Sequence, residues 1–518
     1  MGRERSCAWA CVVFALLLAG CAGARVKTPS REALACSLDA TRIPEANACT
    51  DAWMSTALRG RSHWTQGDSR INGSRVVVEF RGLSPYFASE VVITRADDVP
   101  VWIPGGVRHR QPGFGVPLAV ISDRCDDAPV CELLPYSGVF RPATAWLEAD
   151  AGADARLVIG NPLRLPTHRV GATEVALAED TTAAYAVGMR ESPIGRLAIW
   201  GLLGGDEVAH RAGVYLMEDY DPAKRPLVML HGLGSSPLVW ARLSNDVWGD
   251  RSLRNAFQIW HVVYSTDTPL LVTRRRIARY LDRAFEILDP ERDDPAREGI
   301  VIVGHSLGGV IARLLSADSG DTLWTASFTA APSALQGDAD DVRMARELLV
   351  FAPYPGIRRA IFLAAPHRGS PLADRWYSRI AHRLAGHRAD EMQSLRRIAR
   401  AHPDAIQPAL RQGFQTASIN SISTLQEAQP VRRANESLLP APGIAYHTIA
   451  GRRAGARPEG DGVVPLASAL LPDAASTSIV DAGHDLYSSP EVVAEVLRIL
   501  RADIASARIA RRTHDEPQ

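Results

Sequence analysis

Residues 300–315 read IVIVGHSLGGVIARLL, and this stretch decides the fold. Four apolar, β-branched residues predict a buried strand, a glycine-rich turn follows, and the apolar residues of VIARLL recur at helical spacing. Ser306 lies in the turn, inside a Gly-x-Ser-x-Gly pattern. That pattern alone is compatible with a catalytic nucleophile and with a polar residue of a tight turn. The residues that follow the other predicted strands therefore matter.

From about residue 211 onward, predicted strands alternate with predicted helices. Residues 270–288, LLVTRRRIARYLDRAFEIL, are typical of a helix because their apolar residues recur at three- and four-residue steps. Alternating apolar strands and helices predict an α/β fold with a mostly parallel sheet covered on both faces. Functional residues of such sheets lie at the carboxyl ends of the strands. The predicted strands include RPLVML, AFQIWHVVYS, GIVIV, IRRAIFL, IAYHTIAG and STSIV.

Two of these strand ends carry residues suited to acyl transfer. Glycines on both sides of Ser306 allow a sharp turn that exposes its hydroxyl, and the following helix N-terminus directs the Leu307 amide at a substrate oxygen. The strand RPLVML is followed by HGLGSS, where glycines beside Leu233 let its amide turn inward as a second donor to an oxyanion. The alternative for this second segment is a plain glycine-rich turn. His231, which precedes the nucleophile, is expected to be structural.

The combination of strand-HGLG, strand-GHSLGG-helix and strand-APHRGSPLA resembles the α/β-hydrolase fold, specifically its lipase and esterase branch. The resemblance covers roughly residues 213–505 and implies a Ser, acid, His order along the chain. Asp461 in GDGVVP is similar to the acid-bearing loop of bacterial lipases, with Glu459 as the nearest rival. His484 follows the last predicted strand, where the general base is expected. His367 and His447 do not fit that position.

The interval between Ser306 and Asp461 is longer than one strand–helix unit requires. It includes a helical-looking stretch from RWYSRIAHRL to IQPALRQGF, at the place where this fold commonly carries an inserted cap. We therefore predict that residues 372–440 form a cap that shapes an acyl pocket, within a catalytic domain spanning 206–518.

The N-terminus predicts export. A basic start and an apolar run in residues 1–20 are typical of a signal peptide. The segment LAGC, ending at Cys21, resembles the bacterial lipobox, which implies cleavage before Cys21 and lipidation of its thiol. Ala22 after it implies, by resemblance to lipoprotein sorting, the outer membrane of a Gram-negative cell. The alternative is an ordinary secretory signal cleaved near the following AGA.

The remaining cysteines suit an oxidising compartment. Of three possible connectivities, short loops favour Cys36–Cys49 and Cys125–Cys131. Their spacing does not match a metal site, and no metal or cofactor is expected.

Residues 21–74 are expected to be a helical or linker segment, with two helical pieces broken at Pro44. Short β-branched runs with turns predict a β-rich accessory region over 75–205.

The charge balance argues against nucleic acid as a partner. The 518 residues contain 58 Lys and Arg and 58 Asp and Glu, so no strong overall field favours a polyanion.

We expect a lipid-anchored, cell-envelope serine hydrolase that acts on an ester or lipid substrate through Ser306, His484 and Asp461. An acyltransferase with the same triad, and a non-catalytic binding or scaffold protein, remain as alternatives.

Overall fold

The computed structural model describes residues 42–61, 63–86, 90–101, 106–191, 210–335, 339–370, 390–416 and 430–515. The predicted signal peptide 1–20, the lipidation site Cys21 and the predicted disulfide partner Cys36 lie outside these ranges, so the Cys36–Cys49 pairing stays a prediction. Within these ranges, no helix is both long and apolar enough to cross a bilayer.

The N-terminal region is built on a seven-stranded sheet. Its strand order is β1-β4-β6-β7-β8-β3-β2, with every neighbouring pair antiparallel except β3 and β8. Two small two-stranded sheets, β9–β10 and β5–β11, lie beside it. The strands are β1 (His63–Thr65), β2 (Gly67–Ile71), β3 (Ser74–Arg81), β4 (Glu90–Arg95), β5 (Arg110–Gln111), β6 (Val116–Ser122), β7 (Val139–Glu148), β8 (Ala155–Gly160), β9 (Thr167–Val170), β10 (Thr173–Ala176) and β11 (Glu179–Asp180).

Helices cover this sheet. Helix α1 (Ile43–Arg59) buries Trp53 and Met54 in one apolar cluster with the sheet, and helix α2 (Thr181–Glu191) contacts β6 and β7. Pro44 occupies the first turn of α1, where a missing N–H costs no hydrogen bond, so it starts a helix instead of breaking one as predicted. The β-rich region also begins at β1, before the predicted boundary at residue 75 and inside the segment expected to be helical or linker.

The C-terminal part contains a second seven-stranded sheet in the order β12-β14-β13-β15-β16-β17-β18. Only the edge strand β12 is antiparallel to its neighbour, and the others run parallel. Every residue of β14 and β15 is buried, as expected for strands covered on both faces. The predicted α/β fold with a mostly parallel sheet is confirmed. The strands are β12 (Gly213–Leu216), β13 (Arg225–Leu230), β14 (Phe257–Val263), β15 (Ile300–His305), β16 (Ile357–Leu363), β17 (Ala445–Gly451) and β18 (Ser476–Val480).

Two apolar layers enclose this sheet. On one face, residues of α5 and α6 join the largest core cluster, and on the other face residues of α3 and α13 form a second cluster. Within α5, Ile277, Leu281 and Phe285 are buried, in agreement with the predicted spacing. The helices are α3 (Ala241–Gly249), α4 (Arg251–Arg254), α5 (Leu270–Leu288), α6 (Leu307–Leu315), α12 (Leu466–Ala469) and α13 (Pro490–Asp515).

Within the described ranges, five further α-helices occur between α6 and β17 along the chain. They are α7 (Thr322–Ser327), α8 (Ala339–Leu349), α9 (Asp390–Ala401), α10 (Pro408–Thr416) and α11 (Pro430–Asn435). Only α9 to α11 belong to the predicted cap 372–440, of which residues 372–389 and 417–429 lie outside the described ranges. Helices α7 and α8 precede β16, and α7 packs on α11 while α8 packs on α9, so the helical insertion starts earlier than predicted.

Candidate active site

Ser306 occupies a sharp turn between β15 and α6. Its φ of 54° and ψ of −121° are unusual for a residue with a side chain. The turn is possible because glycines flank it: a Cβ on Gly304 would lie 2.3 Å from the Gly308 carbonyl oxygen, and a Cβ on Gly308 would lie 2.3 Å from that of Leu230. The sequence therefore forces the chain to present this serine at the carboxyl edge of the sheet.

The structure brings the three side chains of the predicted triad together. Nε2 of His484 lies 3.0 Å from Oγ of Ser306, and Nδ1 of His484 lies 2.8 Å from Oδ2 of Asp461. His484 lies in the turn after β18 and Asp461 in the loop after β17. Because parallel strands end at one edge of the sheet, three residues distant in sequence meet there.

Asp461 is held rigidly. It is 2% exposed, and its Oδ1 accepts hydrogen bonds from the amides of Val463 at 2.7 Å and Val464 at 2.6 Å. These bonds leave Oδ2 directed at His484. Glu459, the rival acid, is exposed and pairs with Arg452 at 2.7 Å.

The two other histidines considered from the sequence lie elsewhere. His367 is buried, and neither of its ring nitrogens has a hydrogen-bond partner in the described part of the chain. His447 lies within β17, where its ring nitrogens contact Arg359 and Ser476. Neither histidine hydrogen-bonds to Ser306.

The two predicted oxyanion donors are the amides of Leu307, next to Ser306, and of Leu233, in the loop after β13. Leu307 is the first residue of α6, so its N–H has no partner within the helix. In the loop after β13, the amide of Gly234 donates to Oγ1 of Thr266 at 3.1 Å, while no hydrogen bond from the Leu233 amide is seen among the described residues. The two amides are thus available to a substrate oxygen.

His231 supports this loop from below. Its ring is buried and stacks on Tyr264 with centroids 4.2 Å apart, and the Tyr264 hydroxyl donates to the His231 carbonyl oxygen. Burial lowers the pKa of His231 to about 4, so its ring is neutral at physiological pH. His231 is therefore a structural residue, as expected from its position.

His305 is a residue that sequence reasoning missed. Its Nε2 lies 2.8 Å from the carbonyl oxygen of His484, and the two rings lie 5.0 Å apart. Burial and the nearby His484 lower the pKa of His305 to about 3. Because a carbonyl oxygen can only accept, the neutral ring carries its proton on Nε2 and donates it to the backbone of His484. The only signal in the sequence is its position next to Ser306.

A group of carboxylates that could attract a cation lies away from this site. Among the described residues, oxygen atoms of Asp289, Asp293 and Asp294 lie within 4.8 Å of one another. They follow α5 and precede β15, at the edge of the sheet opposite Ser306. Arg297 already forms an ion pair with Asp289.

The arrangement has the groups that acyl transfer needs. It contains a hydroxyl, an imidazole that can accept the hydroxyl proton, a carboxylate that orients the imidazole, and two amide donors. Such a set can form and break an acyl-serine without further groups.

Comparisons with known proteins agree with the fold. The chain matches the model of the alpha/beta hydrolase family over residues 227–496, just over half of its length. No curated protein shows significant similarity. Among solved structures, it is similar to a lipase from Bacillus licheniformis in its mature form, with 19% identity and a TM-score of 0.29 over 55% of this chain and 97% of that chain. An esterase from Exiguobacterium antarcticum matches with 15% identity and a TM-score of 0.28, over 56% and 95% of the two chains. The family match is decisive for the fold: this chain belongs to the alpha/beta hydrolase family.

Proposed function

We propose that the protein is a serine hydrolase that cleaves carboxylic esters through an acyl-serine intermediate. The observation that carries the proposal is the hydrogen-bonded series Ser306, His484 and Asp461, with contacts of 3.0 and 2.8 Å. A serine hydroxyl is a weak nucleophile until a base removes its proton, and His484 is in position to do so.

The reaction follows from this geometry. Oγ of Ser306 attacks the carbonyl carbon while its proton passes to Nε2 of His484, and the oxyanion formed is held by the amides of Leu233 and Leu307. Collapse breaks the ester bond, and the leaving alcohol takes the proton from His484. Water then attacks the acyl-serine by the same steps in reverse, which releases the carboxylic acid and restores the serine. Asp461 stabilises the imidazolium in both halves.

The presence of an apolar cavity favours an ester substrate with a hydrophobic acyl group. The cavity encloses about 540 Å³, its open mouth included, and is lined mostly by apolar side chains, among them Leu271, Leu349, Leu395 and Phe414. Leu233 and Leu307 belong to, or pack against, the same apolar cluster as these residues. We propose that helices of the predicted cap contribute to an acyl pocket.

The cap helices also belong to the core of the domain. Met392 and Ile398 of α9 are buried in the largest apolar cluster, and Arg313 of α6 donates to the carbonyl oxygen of Asn435 at 2.8 Å. Deleting the cap would thus unfold the domain. A cleaner test is Leu395→Trp, which fills the cavity and should shift the preference among p-nitrophenyl esters toward shorter acyl chains; an unchanged preference would contradict this role.

The serine assignment is tested by a fluorophosphonate probe and p-nitrophenyl butyrate. Wild-type protein should be labelled and should hydrolyse the ester, and both should vanish in Ser306→Ala. Ser316→Ala removes a buried serine from the other end of α6 and is the matched control, which should keep both. Absence of labelling in wild type would favour a non-catalytic binding protein. Labelling with transfer to an added alcohol, but without release of acid, would favour an acyltransferase.

We extend the proposal to a location in the cell envelope, with Cys21 as a lipid anchor on the outer membrane of a Gram-negative bacterium. The support is the sequence: a basic start, an apolar run and LAGC. Labelling with an alkyne analogue of palmitate should mark the wild type and not Cys21→Ala. An unlabelled, released wild-type protein would instead indicate an ordinary secretory signal.

A further inference from the structure

A second apolar cavity lies between the N-terminal region and the hydrolase sheet. It encloses about 660 Å³, its open mouth included. It is separate from the cavity lined by the cap helices, with no lining residue in common. Its apolar walls include Phe140, Tyr185 and Met189 from the N-terminal region and Met217, Leu238 and Val263 from the hydrolase part.

Two arginines lie at the mouth of this cavity. Tyr136 lines the cavity and is 44% exposed, so it marks where the cavity opens to solvent. The guanidinium carbon of Arg124 lies 3.9 Å from the centroid of the Tyr136 ring, and that of Arg211 lies 5.0 Å from it. An otherwise apolar cavity thus has two positive charges at its entrance.

The charge of Arg124 is available to a ligand. Arg124 is half-buried and donates to the carbonyl oxygen of Leu134 at 3.4 Å. In the described ranges no carboxylate forms an ion pair with it, although three aspartates lie in the same segment, namely Asp123, Asp126 and Asp127. A guanidinium without a carboxylate partner is a ready site for one, since the two groups can form paired hydrogen bonds.

A disulfide fixes this entrance. Cys125, next to Arg124, is bonded to Cys131. The closed loop leads directly into buried Leu133 and then into Tyr136 and Ser137, which line the cavity. The disulfide therefore holds the arginine and the cavity wall in one rigid piece.

We propose that this cavity binds a carboxylate that carries a single aliphatic chain, in other words a fatty acid. The chain enters the apolar cavity, and the carboxylate stays at the mouth with Arg124. This binding site is additional to the proposed ester hydrolysis and does not require Ser306.

The test is a titration of the full chain carrying Ser306→Ala, which keeps the cavity and prevents turnover. The fluorescent fatty acid cis-parinaric acid serves as the probe, and dodecanoate and dodecan-1-ol serve as competitors. We expect one saturable site, with dodecanoate binding about tenfold or more tightly than the alcohol because only the acid can form charged hydrogen bonds. Affinity should rise by about fourfold for each added methylene until the cavity is full.

Two variants separate the head group from the chain. Arg124→Gln should weaken dodecanoate binding about tenfold and leave the alcohol unchanged. Arg75→Gln, at an exposed arginine of the same region, is the matched control and should change neither. Ser137→Trp should reduce the binding of both compounds because it fills the cavity. When the same three variants are made in protein that keeps Ser306, all should hydrolyse p-nitrophenyl acetate at the wild-type rate.

Three results would overturn the proposal: no saturable binding of the probe, equal binding in Arg124→Gln and Arg75→Gln, or loss of the probe's site when Ser306 of the wild type carries a phosphonate. The last result would assign the fatty acid to the active site instead. Failure of the ester hydrolase proposal would appear separately, as absent labelling of Ser306.

Discussion

Replacing Asp461 by asparagine tests the triad at its most constrained residue. One carboxylate oxygen accepts the amides of Val463 and Val464, at 2.7 and 2.6 Å, and the other lies 2.8 Å from Nδ1 of His484. Only the carbonyl oxygen of an asparagine can accept the two amides. Its NH₂ group must therefore face His484.

That orientation reverses the hydrogen bond to the histidine. With a donor facing Nδ1, the neutral ring must carry its proton on Nε2, the nitrogen that lies 3.0 Å from Ser306 Oγ. A protonated Nε2 cannot accept the serine proton. We expect kcat to fall by about 10⁴-fold, or about 5.5 kcal/mol in activation free energy, with little change in KM. Since the backbone bonds persist, the free energy of unfolding should change by only about 1–2 kcal/mol.

The assay is steady-state hydrolysis of p-nitrophenyl butyrate, with thermal unfolding measured on the same samples. Glu459→Gln is the control, because Glu459 lies two residues away, is exposed and pairs with Arg452. It should retain full activity. The reasoning is refuted if Asp461→Asn keeps more than a tenth of the wild-type kcat, or if Glu459→Gln loses as much as Asp461→Asn.

Three further predictions concern the framework of the site. Gly308→Ala should lower both kcat and the melting temperature, because the new methyl group would lie 2.3 Å from the carbonyl oxygen of Leu230 and 2.5 Å from that of His231. Gly213→Ala, which meets nothing within 4 Å, should change neither. Asp219→Asn should lower the free energy of unfolding in urea by about 3–5 kcal/mol, since it breaks a buried ion pair of 2.6 Å with Arg141. Arg283→Gln breaks an exposed pair between the same two regions and should cost less than about 1 kcal/mol. Acid should destabilise the fold, because the folded-state pKa of three buried histidines is lowered below 6.5, so the unfolded chain binds protons first as the pH falls. The three are His231, His261 and His305. Each should lower the free energy of unfolding by up to about 2 kcal/mol between pH 7 and pH 5. Urea midpoints that stay constant over this range would contradict the prediction.

Much of the hydrolase fold could be predicted because its signals are local. The strands of a parallel sheet are buried on both faces, so they read as continuous apolar runs such as IVIV in β15. The glycines at 304 and 308 are required where two backbones nearly touch, which leaves a readable pattern around Ser306. The order of the strands then brings the predicted Asp461 and His484 to the same edge of the sheet.

The parts that sequence did not predict lack such signals. Strand β2, GDSRI, is polar and only partly buried, so its composition does not indicate a strand that pairs with β3. Helix α7 has only six residues, too short for a clear apolar period, and it depends on packing against α11. His305 holds His484 across 179 residues of chain. Contacts of that kind arise from the tertiary fold and leave no mark in a single sequence.

The N-terminal region is an integral part of the hydrolase, although the family match begins only at residue 227. Arg254, within the matched part, is 6% exposed and forms its ion pair at 2.8 Å with Glu179 of the N-terminal region. Trp248 packs against Phe140 and Tyr185 in the same way, with ring centroids 5.9 and 5.8 Å apart. Removing one partner of a buried ion pair is strongly destabilising, because the remaining charge stays desolvated. The hydrolase part has therefore come to depend on the N-terminal region for partners that the family fold alone does not supply, and the cavity shared by the two regions can persist only while both are in place.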